Sequence, residues 1–144
     1  MVRNWTTEQQ WAINARGGNL LVSGAYVGSD MMTAPERTFL SDVLKCQFAG
    51  KDNSPSEAVS GMGTTLEFHR ALNEYHYAAQ HPDILQPAVE GAIIPMVYAD
   101  NYGAAVAYGG RDYRVFTMGF PFECIKSESM QAAFMQGILN YLIK

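Results

Sequence analysis

The spacing of apolar residues predicts three helices along the chain. The first covers residues 7–16, begins after threonines that can cap it, and ends at a Gly-Gly pair. The second covers residues 35–45, where Thr33 and Glu36 have the spacing of a capping box. The third follows Ser127, and its apolar residues recur at steps of three and four. Each of these patterns gives a helix one apolar face with which to pack on a core.

Short apolar runs predict the strands. Residues 20–23 form a continuous run between glycines, which suits a strand buried on both faces of a parallel sheet. Residues 92–98, 104–108 and 113–118 form three more runs in quick succession. Because a Gly-Gly turn joins the last two, we expect them to pair as an antiparallel hairpin.

The segment between the second helix and these late strands has a less regular pattern. Residues 51–57 are polar and predict a turn, whereas residues 58–62 and 66–69 are short strand candidates. Residues 75–87 contain prolines and have no clear period, so we expect them to cross the surface. The chain contains no internal repeat and no low-complexity linker, and we therefore expect residues 1–144 to form a single α/β domain.

Composition and charge exclude two classes of partner. The 144 residues are 48% apolar and 17% charged, which indicates a folded domain with a sizeable core. Ten Lys and Arg against fourteen Asp and Glu give a net charge of -4, which argues against nucleic acid. The longest apolar run, residues 91–99, contains Pro95 and is shorter than the roughly 20 residues of a membrane span. We therefore expect neither a nucleic-acid partner nor a membrane partner.

The cysteines and histidines predict no cofactor and no metal site. Cys46 and Cys124 fit two buried thiols better than a disulfide, although a bridge between them stays open. His69 and His76 are seven residues apart, which does not match the spacing of a zinc pair, and His81 precedes a proline in a loop.

Several tyrosines lie beside polar residues in predicted loops or at strand ends. Their rings could stack on sugar rings, but half-buried packing at the edge of a sheet is the favoured interpretation. These residues are Tyr26, Tyr75, Tyr77, Tyr98 and Tyr102.

Four motifs carry a resemblance to a known superfamily. They are GGNLLVSGAY at residues 17–26, GSD at residues 28–30, PDI at residues 82–84 and GFPFE at residues 119–123. Together they resemble the class I glutamine amidotransferase-like superfamily, and within it the domain of secreted bacterial proteins labelled xanthan lyase. The resemblance implies a flavodoxin-like three-layer α/β sandwich with a late antiparallel hairpin and a closing C-terminal helix.

The same resemblance implies that the chain is the C-terminal portion of a larger domain. A flavodoxin-like sheet needs about five parallel strands, and the pattern offers one clear parallel strand before the hairpin. An incomplete sheet would expose the edge of the strand at residues 20–23, which invites a homo-oligomer or pairing with a neighbouring domain of a larger chain. The alternative is a self-sufficient mixed sheet that the middle segments complete.

The resemblance also bears on location and ligand. It implies a secreted or periplasmic protein with a possible carbohydrate ligand, although we expect no signal peptide within this chain.

The glutamine chemistry of the superfamily is not expected here. Its members place a cysteine nucleophile on the turn after the strand, where this chain has Ser23 and Gly24. Of the superfamily's His-Pro-Glu, only Glu123 is retained, so we expect no release of ammonia from glutamine. Ser23 could replace the cysteine if a base were positioned beside it. A hydroxyl that satisfies backbone groups at the strand end is the favoured interpretation.

The loop after the first predicted strand and the segment before the last helix supply the candidate site. In a flavodoxin-like sheet both follow strands that run the same way, so Tyr26, Asp30 and Glu123 should meet in one concave site. The candidate ligand contacts are Gly24, Tyr26 and Asp30. The candidate catalytic residues are Glu123 and Ser23. Asp30 could instead cap a short helix, and Glu123, which aromatic neighbours would desolvate, could instead anchor the backbone.

Three functions are compatible with these residues. The first is a chemically degenerate, non-catalytic accessory domain of a secreted protein that handles polysaccharide. The second is a carbohydrate-active hydrolase or lyase that uses Tyr26, Asp30 and Glu123. The third is a structural or oligomerising domain.

Overall fold

The computed structural model describes residues 18–31, 33–110 and 113–143, so the helix predicted at residues 7–16 lies outside the described part. In chain order the described elements are β1 (Gly18–Ser23), α1 (Ala34–Asp42), β2 (Cys46–Lys51), β3 (Ala58–Gly61), β4 (Thr64–Glu67), β5 (Asp83–Pro87), β6 (Ile93–Tyr98), β7 (Gly103–Gly109), β8 (Tyr113–Met118), a 3₁₀ turn (Phe122–Cys124) and α2 (Glu128–Ile143).

Six of the strands form one mixed sheet, in the order β1-β8-β7-β6-β3-β4. β1 and β8 run parallel, and every other pair of neighbours in this sheet is antiparallel. The sheet curls into a half-barrel, and β2 pairs with β5 as a separate antiparallel sheet of two strands. The described part of the chain is therefore mostly β, with two α-helices.

The flavodoxin-like α/β sandwich that the sequence predicts is wrong. Such a fold needs parallel strands joined by crossover helices, because a tight turn can join only antiparallel neighbours. Here short turns join β6 to β7 and β7 to β8, and β1 with β8 is the one parallel pair of the described sheet. The sheet is instead mixed, and the middle segments contribute to it through the β3–β4 hairpin.

Several local predictions are confirmed, because short-range chemistry determines them. β1 contains the run at residues 20–23, and β7 pairs with β8 as the predicted hairpin. α1 begins with the predicted capping box. In it the Thr33 hydroxyl accepts from the Glu36 amide at 3.4 Å and the Glu36 carboxylate accepts from the Thr33 amide at 3.2 Å. Ser127 stands before α2, where its hydroxyl accepts from the Met130 amide at 3.3 Å.

The side chains of β1 alternate between two apolar clusters on opposite faces of the sheet. Leu20 and Val22 pack in the cluster that contains Phe39 of α1. Leu21 packs against the other cluster, which contains Ile138 of α2. The strand is thus covered from both sides, as its continuous apolar run predicts.

Both cysteines are free, buried thiols, which confirms the favoured interpretation. Cys46 begins β2 and Cys124 ends the 3₁₀ turn, and neither side chain reaches the solvent. Burial, which disfavours the thiolate, raises the pKa of each thiol to about 12. Neither thiol is therefore poised to act as a nucleophile.

β5 lies in the segment that the sequence predicts to cross the surface, and that prediction is wrong for this strand. Asp83, Ile84 and Leu85 are buried, and the Asp83 amide donates to the Gly119 carbonyl just beyond β8 at 2.9 Å. Gly103 at the start of β7 permits a similarly close approach, because a Cβ there would collide with the Leu85 carbonyl oxygen. β5 therefore packs its backbone directly on the main sheet and carries Asp83 into the interior.

Replacing Gly103 with alanine tests this close approach. Gly103→Ala should lower the free energy of unfolding by about 1–3 kcal/mol, the usual cost of overpacking, because the new methyl group meets rigid backbone. Gly137→Ala is the matched control, since a Cβ at that position in α2 meets only the flexible end of Met62 and alanine favours a helix. Urea unfolding followed by circular dichroism measures both variants. A Gly103→Ala variant as stable as the wild-type protein would contradict the position of β5.

Candidate functional site

The loops that follow β1 and β8 leave the same edge of the sheet, as predicted. The two strands are parallel neighbours, and Ser23 lies opposite Met118 at their ends. The Ser23 hydroxyl accepts a hydrogen bond from the Phe122 amide at 3.4 Å, which joins the two loops, and Gly24 is buried beside it. This contact agrees with a structural role for Ser23. Its catalytic role, like that of Gly24 in binding, stays a prediction.

The loop after β1 is held by the buried carboxylate of Asp83. The amides of Gly28 and Ser29 donate to its Oδ2 at 2.7 Å and 3.0 Å. Lys51 Nζ lies 2.7 Å from its Oδ1 and also donates to the Ala25 carbonyl at 2.8 Å. Because a buried carboxylate is tolerated only with such partners, these bonds fix the loop to β2 and β5.

Tyr26 lies in this anchored loop with 44% of its surface exposed. The Lys51 ammonium lies 4.3 Å from the centre of its ring, a cation–π contact that orients the ring. The Asp30 amide donates to the Tyr26 carbonyl at 2.9 Å within the same turn, and the Asp30 side chain is half-buried. Tyr26 lines a cavity of about 490 Å³, which we call the Tyr26 cleft. Its other lining residues include Lys51, Asn53, Leu72, Gln80 and His81.

Glu123 lies on the 3₁₀ turn and is exposed, so the prediction that aromatic neighbours desolvate it is wrong. It lines a second cavity of about 560 Å³, which we call the histidine cleft. The lining of this cleft includes His69, Glu74, Tyr75, His76, Tyr77 and Glu123. The two loops therefore share an edge of the sheet, but Tyr26 and Glu123 line two different clefts. Their roles in binding or catalysis stay predictions.

Two stacked imidazoles form one wall of the histidine cleft. The rings of His69 and His76 have their centres 3.6 Å apart and lie 14° from parallel. Burial of the His69 ring, helped by the nearby charges of His76 and Lys126, lowers the pKa of His69. His76 Nδ1 lies 3.2 Å from the Tyr77 carbonyl, and when it donates there Nε2 of the neutral ring is left as an acceptor. The pair thus offers its ring nitrogens as hydrogen-bonding groups to the cleft.

A buried ion pair closes the base of residues 69–81, the loop that carries the histidines. Arg70 Nη2 lies 2.5 Å from Asp52 Oδ2, and both side chains are buried. Arg70 Nη1 also donates to the Gln80 carbonyl at 3.4 Å, and the Ala79 amide donates to the His69 carbonyl at 2.9 Å. We call this ion pair and its hydrogen bonds the Arg70 clasp.

The groups around the clasp have opposing effects on the pKa of Asp52. Burial and the neighbouring Asp100 carboxyl raise the pKa of Asp52, while the Arg70 guanidinium pulls it down. Outside the clasp, the Arg70 amide donates to the Glu57 carboxylate at 3.1 Å, and Glu57 pairs with Lys126 near the surface. Arg70 is therefore the cation that makes a buried Asp52 tolerable.

Sequence analysis missed the histidine pair and both buried carboxylates. His69 and His76 do not have a ligand spacing, and their stacking depends on how residues 69–81 fold. Asp52 directly follows β2, and Asp83 begins β5. Both strands contain too few apolar residues for the sequence pattern to predict them. Within residues 18–31, 33–110 and 113–143, no group of three or more His, Cys, Asp or Glu is arranged to hold a metal ion.

The fold recurs inside two carbohydrate-active enzymes. It matches the exo-beta-1,4-mannosidase Op5Man5 from Opitutaceae bacterium strain TAV5 with a TM-score of 0.55 and 12% identity, over 93% of this chain and 21% of that one. It matches the beta-galactosidase from Rahnella sp. R3 with a TM-score of 0.56 and 17% identity, over 98% of this chain and 21% of that one. The chain thus spans about a fifth of each enzyme. No family model and no curated protein matches it.

These likenesses correct the resemblance drawn from the sequence. The structural neighbours are glycoside hydrolase domains, and not flavodoxin-like domains of the glutamine amidotransferase-like superfamily. Both neighbours are named as carbohydrate-active enzymes, which agrees with the carbohydrate ligand expected from the sequence. At 12% and 17% identity, the likeness itself concerns the fold. In the part of the chain that the structure describes, no helix has the length and apolar character needed to cross a membrane.

Removing the Arg70 guanidinium tests the clasp. Arg70→Met should lower the free energy of unfolding by about 3–5 kcal/mol at neutral pH, because Asp52 stays buried without its cation. Without Arg70 the pKa of Asp52 in the folded protein rises further above its unfolded value, so the folded state binds a proton more tightly. The loss should therefore shrink as the pH falls into the acid range. Thermal and urea unfolding from neutral to acid pH measure this loss of unfolding free energy.

Two further variants control this experiment. Asp52→Asn added to Arg70→Met should recover part of the stability at neutral pH, since it removes the unpaired charge. Lys126→Met breaks the more exposed pair with Glu57 and should cost under about 1 kcal/mol. An Arg70→Met loss no larger than that of Lys126→Met, or one independent of pH, would contradict the clasp.

Proposed function

We propose that this chain binds neutral carbohydrate in the histidine cleft, as a domain of a carbohydrate-active protein of the glycoside hydrolase kind. The observation that carries the proposal is the pair of exposed tyrosines at this cleft. Tyr75 is 85% exposed and Tyr77 71% exposed, far beyond what packing at a sheet edge requires. Exposed aromatic faces beside polar groups suit the apolar faces of sugar rings.

The polar groups of the cleft support the choice of a neutral sugar. The carboxylates of Glu74 and Glu123 accept hydrogen bonds from hydroxyl groups and repel phosphate and other anions, while the Lys126 ammonium in the same lining is paired with the Glu57 carboxylate. The ring nitrogens of His69 and His76 add further hydrogen-bonding groups. The volume of about 560 Å³ lies within the usual range for small-molecule sites.

The structural neighbours support the same class of ligand. One is named for β-1,4-mannosides and the other for β-galactosides, and this chain corresponds to about a fifth of each. We therefore infer that the domain works beside other domains. Secretion and an oligomer formed through the edge strand β1 stay predictions, as does a purely structural role.

Hydrolysis is the second candidate, because two carboxylates line the same cleft. In glycoside hydrolysis one carboxylic acid gives a proton to the leaving oxygen, while the other carboxylate activates the water that attacks the anomeric carbon. Glu74 and Glu123 are the pair that this cleft offers. Turnover of chromogenic β-mannosides or β-galactosides that Glu123→Gln abolishes would favour hydrolysis over binding alone.

Calorimetric titration with β-1,4-mannobiose and lactose tests the proposed function. The wild-type protein should bind at least one of them, and Tyr75→Ala should weaken that binding by about two- to tenfold, since one stacking face is lost. Tyr102→Ala is the matched control, because Tyr102 is also exposed but lines neither cleft. Absence of binding at millimolar sugar, or equal loss in both variants, would contradict carbohydrate binding in this cleft.

A further inference from the structure

The proposed function leaves the Tyr26 cleft without a role. This cleft combines an oriented aromatic ring, the exposed side chain of Leu72, and the polar side chains of Asn53 and Gln80. The Lys51 ammonium beside it is neutralised by the Asp83 carboxylate at 2.7 Å, so the cleft does not present a free cation. Its chemistry is that of a second site for a neutral, partly apolar ligand.

Both clefts are lined by the same loop, residues 69–81, which contributes different residues to each. Along residues 69–81, His69 and residues 74–77 line the histidine cleft, whereas Leu72 and residues 78–81 line the Tyr26 cleft. The hydrogen bond from the Ala79 amide to the His69 carbonyl joins a wall of one cleft to a wall of the other. The two cavities therefore border the same loop.

Three side chains of residues 69–81 are largely exposed, two of them aromatic and one aliphatic. Leu72, Tyr75 and Tyr77 are each more than two-thirds exposed, at 71%, 85% and 71%. A ligand that leaves one cleft towards the other would therefore meet side chains that suit the faces of sugar rings, beside the exposed Glu74 carboxylate, which accepts hydrogen bonds from hydroxyl groups.

We propose that the Tyr26 cleft and the histidine cleft are two subsites of one extended site for a neutral β-linked oligosaccharide that crosses residues 69–81. The inference rests on the proposed function and adds to it the length of the ligand. Both walls are fixed before binding, the Tyr26 side by Asp83 and Lys51 and the loop by the Arg70 clasp. A ligand that occupies both subsites therefore gains contacts without a large ordering cost.

Binding measured as a function of chain length tests this inference. In calorimetric titrations with β-1,4-mannooligosaccharides of two to six sugars, the hexasaccharide should bind at least tenfold more tightly than the disaccharide, because the second subsite is engaged within the same complex. One hexasaccharide should bind per protein. Tyr26→Ala should remove most of this gain and leave disaccharide binding through Tyr75 unchanged, while Tyr102→Ala should leave the whole series unchanged.

The outcomes separate the inference from the proposed function. Equal affinity for all lengths, with disaccharide binding still sensitive to Tyr75→Ala, would overturn the extended site and leave the proposed function standing. A length-dependent gain that Tyr26→Ala does not reduce would also overturn it. Failure of every oligosaccharide to bind would overturn the proposed function itself. Thermal unfolding of Tyr26→Ala, compared with Tyr102→Ala, establishes that a lost affinity does not come from an unfolded protein.

Discussion

The candidate site depends on one interaction, the neutralisation of the buried Asp83 carboxylate. A charge without partners in the interior would cost more than the usual stability of a domain of this size. Asp83 is accommodated because the Gly28 and Ser29 amides and the Lys51 ammonium converge on it. The loop after β1, the end of β2 and the start of β5 are thereby bound to one point. The oriented ring of Tyr26 is a consequence, because the same ammonium lies against it.

The Arg70 clasp extends the same principle to the most exposed part of the described chain. Asp52 and Arg70 are buried together, and their hydrogen bonds to the backbone hold the two ends of residues 69–81. An exposed loop without such a base would lose much of its binding energy to ordering. The buried ion pair thus holds in place the loop that carries the exposed tyrosines of the proposed carbohydrate site.

Short-range patterns in the sequence predicted the two described α-helices and the late hairpin, because caps and turns depend on neighbouring residues. Thr33 with Glu36, Ser127, and the glycines between β7 and β8 are such signals. The direction and order of the strands were not predicted, since a glycine-bounded apolar run such as β1 looks the same in a flavodoxin-like sheet and in a half-barrel. β5 was missed because only Ile84 and Leu85 are apolar between Asp83 and Gln86, and the burial of Asp83 depends on long-range partners.

The position of the two candidate loops could be inferred from the sequence to a similar extent. Sequence analysis placed Tyr26 and Glu123 in loops at one edge of the sheet, which needs only that their strands run the same way. It could not place them in separate clefts, because residues 69–81 divide the edge and their path depends on Asp52 and Arg70. The stacking of His69 on His76 has the same origin.

Carbohydrate is proposed to bind on the loop that these buried charges hold in place. The most direct test is a titration of ¹⁵N-labelled protein with β-1,4-mannohexaose, followed by amide chemical shifts. The shifted amides should cluster in residues 69–81, with further shifts in residues 24–30 and 122–126. Shifts confined to the β3–β4 turn or to α2, or no shifts at all, would contradict this proposal.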